Sequence, residues 1–236
     1  YLVEQHLRIG LLRGPAGCGK TLLLGRLAGE LDPHAHVCAK ISLLGLGLEE
    51  LLLHLAMGLG LNPRLDAPVI ELWRHIFDRL NEHRRQQWTT VVLLDDVHTA
   101  VPEVLAAVSR LAEHDPALDA RLTVVLAADE RHVGRLGERL LTRCALRVDV
   151  ERWNTEDTLE LLHFALESVR LEGELESSSP SDFFTPAAAE KLHELSGGIP
   201  RRVGQLAQWS LLAGAGLGLE QVDEETVGAA AEELGV

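Results

Sequence analysis

The chain has 236 residues, of which 46% are hydrophobic and only 4% aromatic, and its formal net charge is −14. This length fits one large domain or a core domain with a small appendage, and the scarcity of aromatic residues favours a helix-rich α/β protein over an aromatic-rich β-sandwich. The acidic charge argues against nonspecific nucleic-acid binding by the whole surface, which needs clustered Lys and Arg, although it leaves a small local basic patch open.

Up to residue 150, short apolar runs alternate with segments in which apolar residues have helical spacing. The pattern predicts strands at residues 8–13, 36–44, 89–94, 122–127 and 145–150, and helices at residues 20–31, 48–59, 69–85, 102–113 and 133–142. Several of these strands are uniformly apolar, which is typical of a parallel sheet covered by helices on both faces. We therefore predict an α/β fold with a five-stranded parallel sheet.

After Trp153 the pattern changes to helical segments alone. It predicts helices at residues 155–171, 186–195, 201–212 and 223–234. Residues 172–182 are acidic and rich in Ser, which favours a mobile loop. A boundary near Arg152 would then divide an α/β nucleotide-binding core, residues 1–152, from a small helical lid, residues 153–236.

A glycine-rich turn separates the first predicted strand from the first predicted helix. Residues 14–21, GPAGCGKT, match the phosphate-binding pattern G-x-x-x-x-G-K-S/T in the strand-to-helix context that this motif requires. The glycines let backbone N–H groups converge on phosphates, and the helix N-terminus adds positive charge at the same point. Lys20 is expected to reach the β- and γ-phosphates, and the Thr21 hydroxyl to ligate Mg²⁺. The predicted nucleotide-binding residues of this loop are Gly14, Pro15, Ala16, Gly17, Cys18, Gly19, Lys20, Thr21 and Leu22.

Two adjacent carboxylates, Asp95 and Asp96, follow the β-branched apolar strand predicted at residues 89–94. A phosphate-binding loop needs a second acidic site about one strand away, to orient Mg²⁺ and to activate water. We expect Asp95 to hold Mg²⁺, through its water, and Asp96 to polarise the attacking water. The alternative is that the two carboxylates only cap the next helix. His98 is either a contact of the γ-phosphate region or a side chain that is solvated or locally hydrogen-bonded.

The two motifs, together with the run Ser196-Gly197-Gly198-Ile199-Pro200-Arg201, resemble the AAA+ ATPases of the general secretion pathway protein A type. In that family a phosphate loop, an Asp-Glu-Ala-Gln/His strand end and a Gly-Gly-Ile-Pro-Arg turn occur in this order, and here they read GPAGCGKT, DDVH and GGIPRR. The resemblance covers nearly the whole chain and implies an AAA+ core with a C-terminal helical lid. Most hydrolysing relatives carry Glu where Asp96 stands. Because Asp is one methylene shorter, slow hydrolysis or an ATP-gated switch stays open.

The resemblance also implies roles for residues outside the two motifs. Arg201 takes the position of the sensor 2 arginine, a guanidinium that the lid directs at the γ-phosphate. Asp129 falls at the sensor 1 position, where relatives carry a neutral polar residue, so we expect it to cap the next helix instead. Arg143, rather than Arg139, is the candidate arginine finger, and it implies a homo-oligomer with ATP at the subunit interface. The predicted catalytic residues are thus Lys20, Asp96, Arg201 and Arg143.

Together, the motifs and the resemblance predict a domain that binds and hydrolyses ATP with Mg²⁺ and drives or regulates the assembly of a partner protein complex of the secretion or envelope type. Two alternatives stay open, a DNA-linked regulator like the transposition-associated AAA+ ATPases and a weakly hydrolysing ATP switch. The chain shows neither a signal peptide nor an apolar run of roughly 18 residues. We therefore expect it in the cytoplasm, or at the cytoplasmic face of the inner membrane if it is part of a longer protein.

Overall fold

A computed structural model describes residues 3–5, 7–114, 121–171 and 183–235, and of residues 166–171 the backbone alone. The loop predicted at residues 172–182 lies outside these ranges. The chain divides into two compact units, Tyr1–Gly14 with Lys20–Val150, and Pro15–Gly19 with Glu151–Val236. The functional division into a core, residues 1–152, and a lid, residues 153–236, stays a prediction.

The first unit is built on a five-stranded sheet in the order β2-β3-β4-β1-β5, in which every neighbouring pair is parallel. The strands are β1 (Ile9–Gly14), β2 (His36–Ser42), β3 (Thr89–Asp95), β4 (Leu122–Asp129) and β5 (Leu146–Asp149). Five α-helices accompany them: α1 (Lys20–Glu30), α2 (Leu48–Gly58), α3 (Val69–Arg85), α4 (Pro102–Ala112) and α5 (Glu138–Leu141). The predicted α/β class and the parallel sheet are confirmed.

Apolar clusters cover both faces of this sheet, because successive side chains of a strand point to opposite faces. Val92 and Leu94 of β3 belong to the larger cluster, which includes side chains of α2, α3 and α4. Val91 and Leu93 belong to a smaller cluster with Leu24 of α1. β3 and β4 are buried along their whole length, which explains why both strands are continuous apolar runs in the sequence.

The register of the strands brings their carboxyl ends to one edge of the sheet. Gly14 at the end of β1 is paired with Asp129 of β4, and Ser42 at the end of β2 is paired with Asp95 of β3. The residues that follow a strand in sequence therefore collect at this edge, where open α/β sheets bind their ligands.

The helix predicted at residues 133–142 is correct only for the short α5, and its first half is wrong. Residues Glu130–Leu136 instead form a 3₁₀ helix, and α5 is a single short turn. Gly137 lies between them with φ of 76°, a left-handed conformation that ends one helix before the next begins. A second 3₁₀ helix, Val97–Thr99, follows β3.

The second unit is helical beyond its loop segment, as predicted for the C-terminal region. Its helices are α6 (Thr155–Leu171), α7 (Pro186–Ser196), α8 (Pro200–Leu217) and α9 (Glu224–Leu234). They enclose a core that includes Leu162, Leu192, Leu206 and Val227. The predicted end of α8 at Leu212 is wrong, because the helix continues until Gly218 adopts φ of 69°. Within the described residues, no helix combines the length and the apolar character needed to cross a membrane.

Candidate functional site

The lysine of the phosphate loop is the first residue of α1, next to the carboxyl end of β1. Lys20 is only 8% exposed, and its Nζ donates a hydrogen bond of 2.9 Å to the carbonyl oxygen of Gly14. Burying an ammonium group costs free energy, which carbonyl oxygens offset in part and an anion would offset further. The site of Lys20 is therefore suited to a negatively charged ligand.

Thr21 and Asp95 are in direct contact. The Thr21 hydroxyl donates a hydrogen bond of 2.5 Å to Oδ2 of Asp95, while Oδ1 of Asp95 accepts one of 2.9 Å from the backbone N–H of Asp96. Asp95 is 4% exposed, and each oxygen of its buried carboxylate accepts one of these two hydrogen bonds. A hydroxyl and a carboxylate are the hard oxygen ligands that Mg²⁺ prefers, and the pair fits a Mg²⁺ site.

Asp96 turns the chain at the end of β3. Its φ is 53° and its ψ is 33°, a left-handed conformation that Asp and Asn adopt more readily than other side chains with a Cβ. It precedes the 3₁₀ helix Val97–Thr99, but its side chain makes no capping hydrogen bond, which removes capping as its explanation. The Ser42 hydroxyl lies 3.5 Å from Oδ2 of Asp96. We did not predict Ser42, although its place at the end of the neighbouring strand was a signal for it.

Asp129 and His98 meet at the ends of β4 and β3. The backbone N–H of Asp129 donates a hydrogen bond of 3.2 Å to Nδ1 of His98, and the Asp129 carboxylate accepts one of 2.9 Å from the N–H of Arg131. Asp129 thus caps the 3₁₀ helix Glu130–Leu136, as expected. Burial lowers the pKa of His98. The imidazole of His132 stacks against that of His98, with ring centroids 5.7 Å apart.

Two glycines of the phosphate loop, Gly17 and Gly19, belong to the second unit, where Gly17 contacts the Gly-Gly-Ile-Pro-Arg turn. Gly17 and Gly19 have φ of 86° and 98°. The carbonyl oxygen of Gly17 accepts a hydrogen bond of 3.3 Å from the backbone N–H of Arg201. A Cβ on Gly17 would lie 3.0 Å from Cβ of Arg201 and 3.1 Å from Cγ2 of Ile199, so this position requires glycine for space as well as for φ. Cys18 is buried between the two loop glycines.

Arg143 is bound to Glu113 rather than to the residues at the strand ends. Its guanidinium lies 3.4 Å from Oε1 of Glu113 and is 51% exposed. Arg139 binds the same carboxylate with both Nε and Nη2, at 2.9 and 2.7 Å. The hydrogen bond from Arg139 holds the pKa of Glu113 below its usual range. We did not predict Glu113, because no sequence signal links it to an arginine that follows the next strand.

The model of a protein family described as the AAA domain matches residues 3–136 of this chain. The chain belongs to the AAA domain family. It is 28% identical over 225 residues to the General secretion pathway protein A of Aeromonas hydrophila. That alignment covers 95% of this chain and 40% of the relative, so the chain spans less than half of the relative's length. The predicted resemblance to AAA+ ATPases of this type is confirmed.

Two solved structures share the fold of this AAA domain. The Holliday junction branch migration motor RuvB of Thermotoga maritima has a TM-score of 0.62 at 19% identity, covering 96% of this chain and 62% of RuvB. The ORC2 protein of Aeropyrum pernix, in ADPNP-ADP complexes, has a TM-score of 0.65 at 17% identity, covering 96% of this chain and 61% of ORC2. These likenesses show that the chain has the fold of these AAA+ P-loop proteins.

Proposed function

We propose that this AAA domain binds ATP together with Mg²⁺ and hydrolyses the ATP. The observation that carries the proposal is the hydrogen bond from Thr21 to Asp95, one residue from the buried Lys20. It brings together a hydroxyl from α1 and a carboxylate from β3, and the hydroxyl belongs to the residue that follows the buried lysine in sequence. A metal ion and a phosphate chain need this combination of oxygen ligands and positive charge.

Lys20, Thr21, Asp95 and Asp96 of the first unit each have a distinct role in this proposal. Lys20 and the backbone N–H groups of loop residues 14 and 16–22 donate hydrogen bonds to the phosphates. Thr21 and Asp95 hold Mg²⁺, which when bound neutralises charge on the phosphates. Asp96 orients the attacking water and accepts its proton. Because Asp is shorter than Glu, we propose slow rather than fast turnover.

Two arginines complete the proposed catalytic set. Arg201 lies in the first turn of α8 in the second unit, where a cation is unfavourable beside the positive end of the helix dipole. A phosphate would compensate this unfavourable position, which supports the sensor 2 role. Arg143 of the first unit acts on the nucleotide of a neighbouring copy, and its exposed guanidinium supports that role. The proposal therefore includes a homo-oligomer that forms on ATP binding.

We propose a protein complex of the secretion or envelope type as the partner, at the cytoplasmic face of the inner membrane or in the cytoplasm. Its support is the similarity to the General secretion pathway protein A, which extends over 95% of this chain. A DNA-linked regulator and an ATP switch without turnover are the competing outcomes. The first is tested by DNA binding and the second by phosphate release.

Phosphate release by purified protein tests the hydrolysis. We expect Lys20→Ala to abolish nucleotide binding. We expect Asp96→Asn to retain binding but to lose turnover by roughly 10²- to 10⁴-fold, the usual contribution of a general base. Asn is chosen because it tolerates φ of 53°. Asp78→Asn, on the exposed surface of α3, is the matched control and should behave as the wild type. Unchanged turnover in Asp96→Asn would show that another group activates the water.

A further inference from the structure

The carboxylate of Asp129, at the end of β4, is bound through Oδ1 to the residues that follow it. It accepts the hydrogen bond from the N–H of Arg131, and it lies 3.5 Å from both Nε of Arg131 and Nδ1 of His132. Burial acts to raise the pKa of Asp129, but the hydrogen bonds and charge of Arg131 outweigh it, and the pKa is lowered. Asp129 is therefore an anion engaged by its own 3₁₀ helix, and it offers no donor to a phosphate.

The backbone of Asp129, in contrast, fixes the neighbouring imidazole. Its N–H donates to Nδ1 of His98, so Nδ1 acts as the acceptor and carries no proton. In the neutral ring the proton then resides on Nε2, which becomes a hydrogen-bond donor. Burial lowers the pKa of His98, which favours this neutral form.

Four charged or titratable groups act on the His98 ring, and two of them belong to the proposed ATP site. Asp96 and Asp129 favour the protonated ring, whereas His132 and Lys20 disfavour it. The imidazole is thus within electrostatic range of the proposed water-activating carboxylate and of the phosphate-loop lysine. The ring planes of His98 and His132 differ by 17°, and the stacked His132 ring limits the rotation of the His98 ring on one side.

We propose that His98 is a further catalytic residue, whose Nε2–H donates a hydrogen bond to an oxygen of the transferred phosphoryl group. The inference rests on the proposed ATP hydrolysis. Asp129 stands where relatives carry a neutral polar side chain, and His98 would supply the neutral hydrogen-bond donor that the Asp129 carboxylate cannot. A neutral donor in place of a second carboxylate stabilises the negative charge on the phosphoryl oxygens in the transition state.

Two substitutions of His98 distinguish the role of Nδ1 from the role of Nε2, because each replaces one of the two ring nitrogens. In His98→Asn, the amide oxygen replaces Nδ1 as the acceptor for Asp129, but no donor remains at the place of Nε2. In His98→Gln, the amide nitrogen replaces the Nε2 donor. We expect His98→Asn to bind a fluorescent ATP analogue as the wild type does and to release phosphate roughly 100-fold more slowly, the cost of one lost donor. We expect His98→Gln to retain most of the turnover, and His54→Gln on the exposed face of α2 to retain all of it.

Nitrogen-15 NMR of the imidazoles provides a readout that needs no turnover. Without nucleotide, we expect His98 as the Nε2–H tautomer; with ADPNP and Mg²⁺, we expect its Nε2–H resonance to shift while that of His54 does not. A proton on Nδ1, an unmoved resonance despite bound ADPNP, or wild-type turnover in His98→Asn would overturn the role of His98. If the wild type binds ADPNP but releases no phosphate from ATP, the proposed hydrolysis is wrong, and the resonance still decides whether His98 contacts the nucleotide.

Discussion

Glu113 binds two arginines in different ways, and the difference bears on which of them we propose to act on a neighbouring copy. Arg139 uses two nitrogens at 2.9 and 2.7 Å, a bidentate pair that fixes the guanidinium plane. Arg143 makes a single contact of 3.4 Å with the same carboxylate. Among the described residues, Arg143 is thus the less constrained of the two, and it can exchange Glu113 for a phosphate at a lower cost.

Mixing two inactive variants tests the action of Arg143 in trans. Arg143→Ala keeps an intact phosphate loop, and Lys20→Ala keeps an intact arginine, so neither should hydrolyse ATP alone. In a mixture, we expect phosphate release to reappear, because sites with Lys20 from one copy and Arg143 from another are complete. Lys20→Ala mixed with Asp96→Asn is the control, for which little recovery is expected if both residues serve the same copy's nucleotide. A mixture of the first pair that stays inactive would contradict a trans role.

At the scale of the element, the turn between α7 and α8 depends on two successive left-handed glycines. Gly197 ends α7 with φ of 60°, and Gly198 follows with φ of 68°. A Cβ on Gly198 would lie 2.2 Å from the carbonyl oxygen of Trp153, whose N–H donates a hydrogen bond of 2.8 Å to the carbonyl of Gly198. The turn therefore sets the start of α8, and with it the backbone N–H of Arg201 that binds Gly17.

Alanine at two glycines of this region should have opposite effects on stability. We expect Gly198→Ala to destabilise the second unit by at least roughly 1–3 kcal/mol, the cost of the backbone conformation alone, with the clash in addition. Gly204→Ala, in the exposed interior of α8 with no atom near the new Cβ, should stabilise it by up to about 1 kcal/mol. Calorimetric unfolding of both variants measures the difference, and a Gly198→Ala protein as stable as the wild type would refute the steric argument.

The elements could be predicted where local pattern and tertiary environment agree. β3 and β4 are buried on both sides, so their apolar runs identified them. The helix predicted at residues 133–142 was misjudged, because the sequence shows apolar spacing but not that Gly137 takes φ of 76° and separates a 3₁₀ helix from α5. α8 extends past two glycines because Gly214 packs closely against Val222, which is a tertiary contact that local propensity does not contain.

The residues of the candidate site that directly follow a predicted parallel strand could be predicted from the sequence, because the carboxyl ends of parallel strands meet at one edge of the sheet. The phosphate motif and the acidic strand end predict that Lys20, Thr21 and Asp95 share a site, and Thr21 and Asp95 are in contact. The contacts of Ser42 with Asp96, and of Glu113 with Arg143, join residues far apart in sequence. Such pairs follow from strand order and helix placement, which one sequence does not specify.

At the scale of the whole molecule, the net charge of −14 favours a protein partner over DNA. Counterion release drives most nonspecific binding to DNA and requires clustered cations. We expect no saturable binding of duplex DNA in a fluorescence anisotropy titration, at either about 50 or about 200 mM salt. A basic DNA-binding protein serves as the positive control. Tight binding that weakens steeply with salt would replace the secretion proposal by the DNA-linked one.

Calorimetric titration of the protein with ATP tests the central claim most directly, because it measures nucleotide uptake without requiring turnover. We predict saturable binding of one ATP per chain in the presence of Mg²⁺, weaker binding when the metal is chelated, and none in Lys20→Ala. Asp78→Asn should bind as the wild type does. Absence of any binding heat from folded wild-type protein at millimolar ATP with Mg²⁺, supported by an equally negative equilibrium dialysis, would contradict the account.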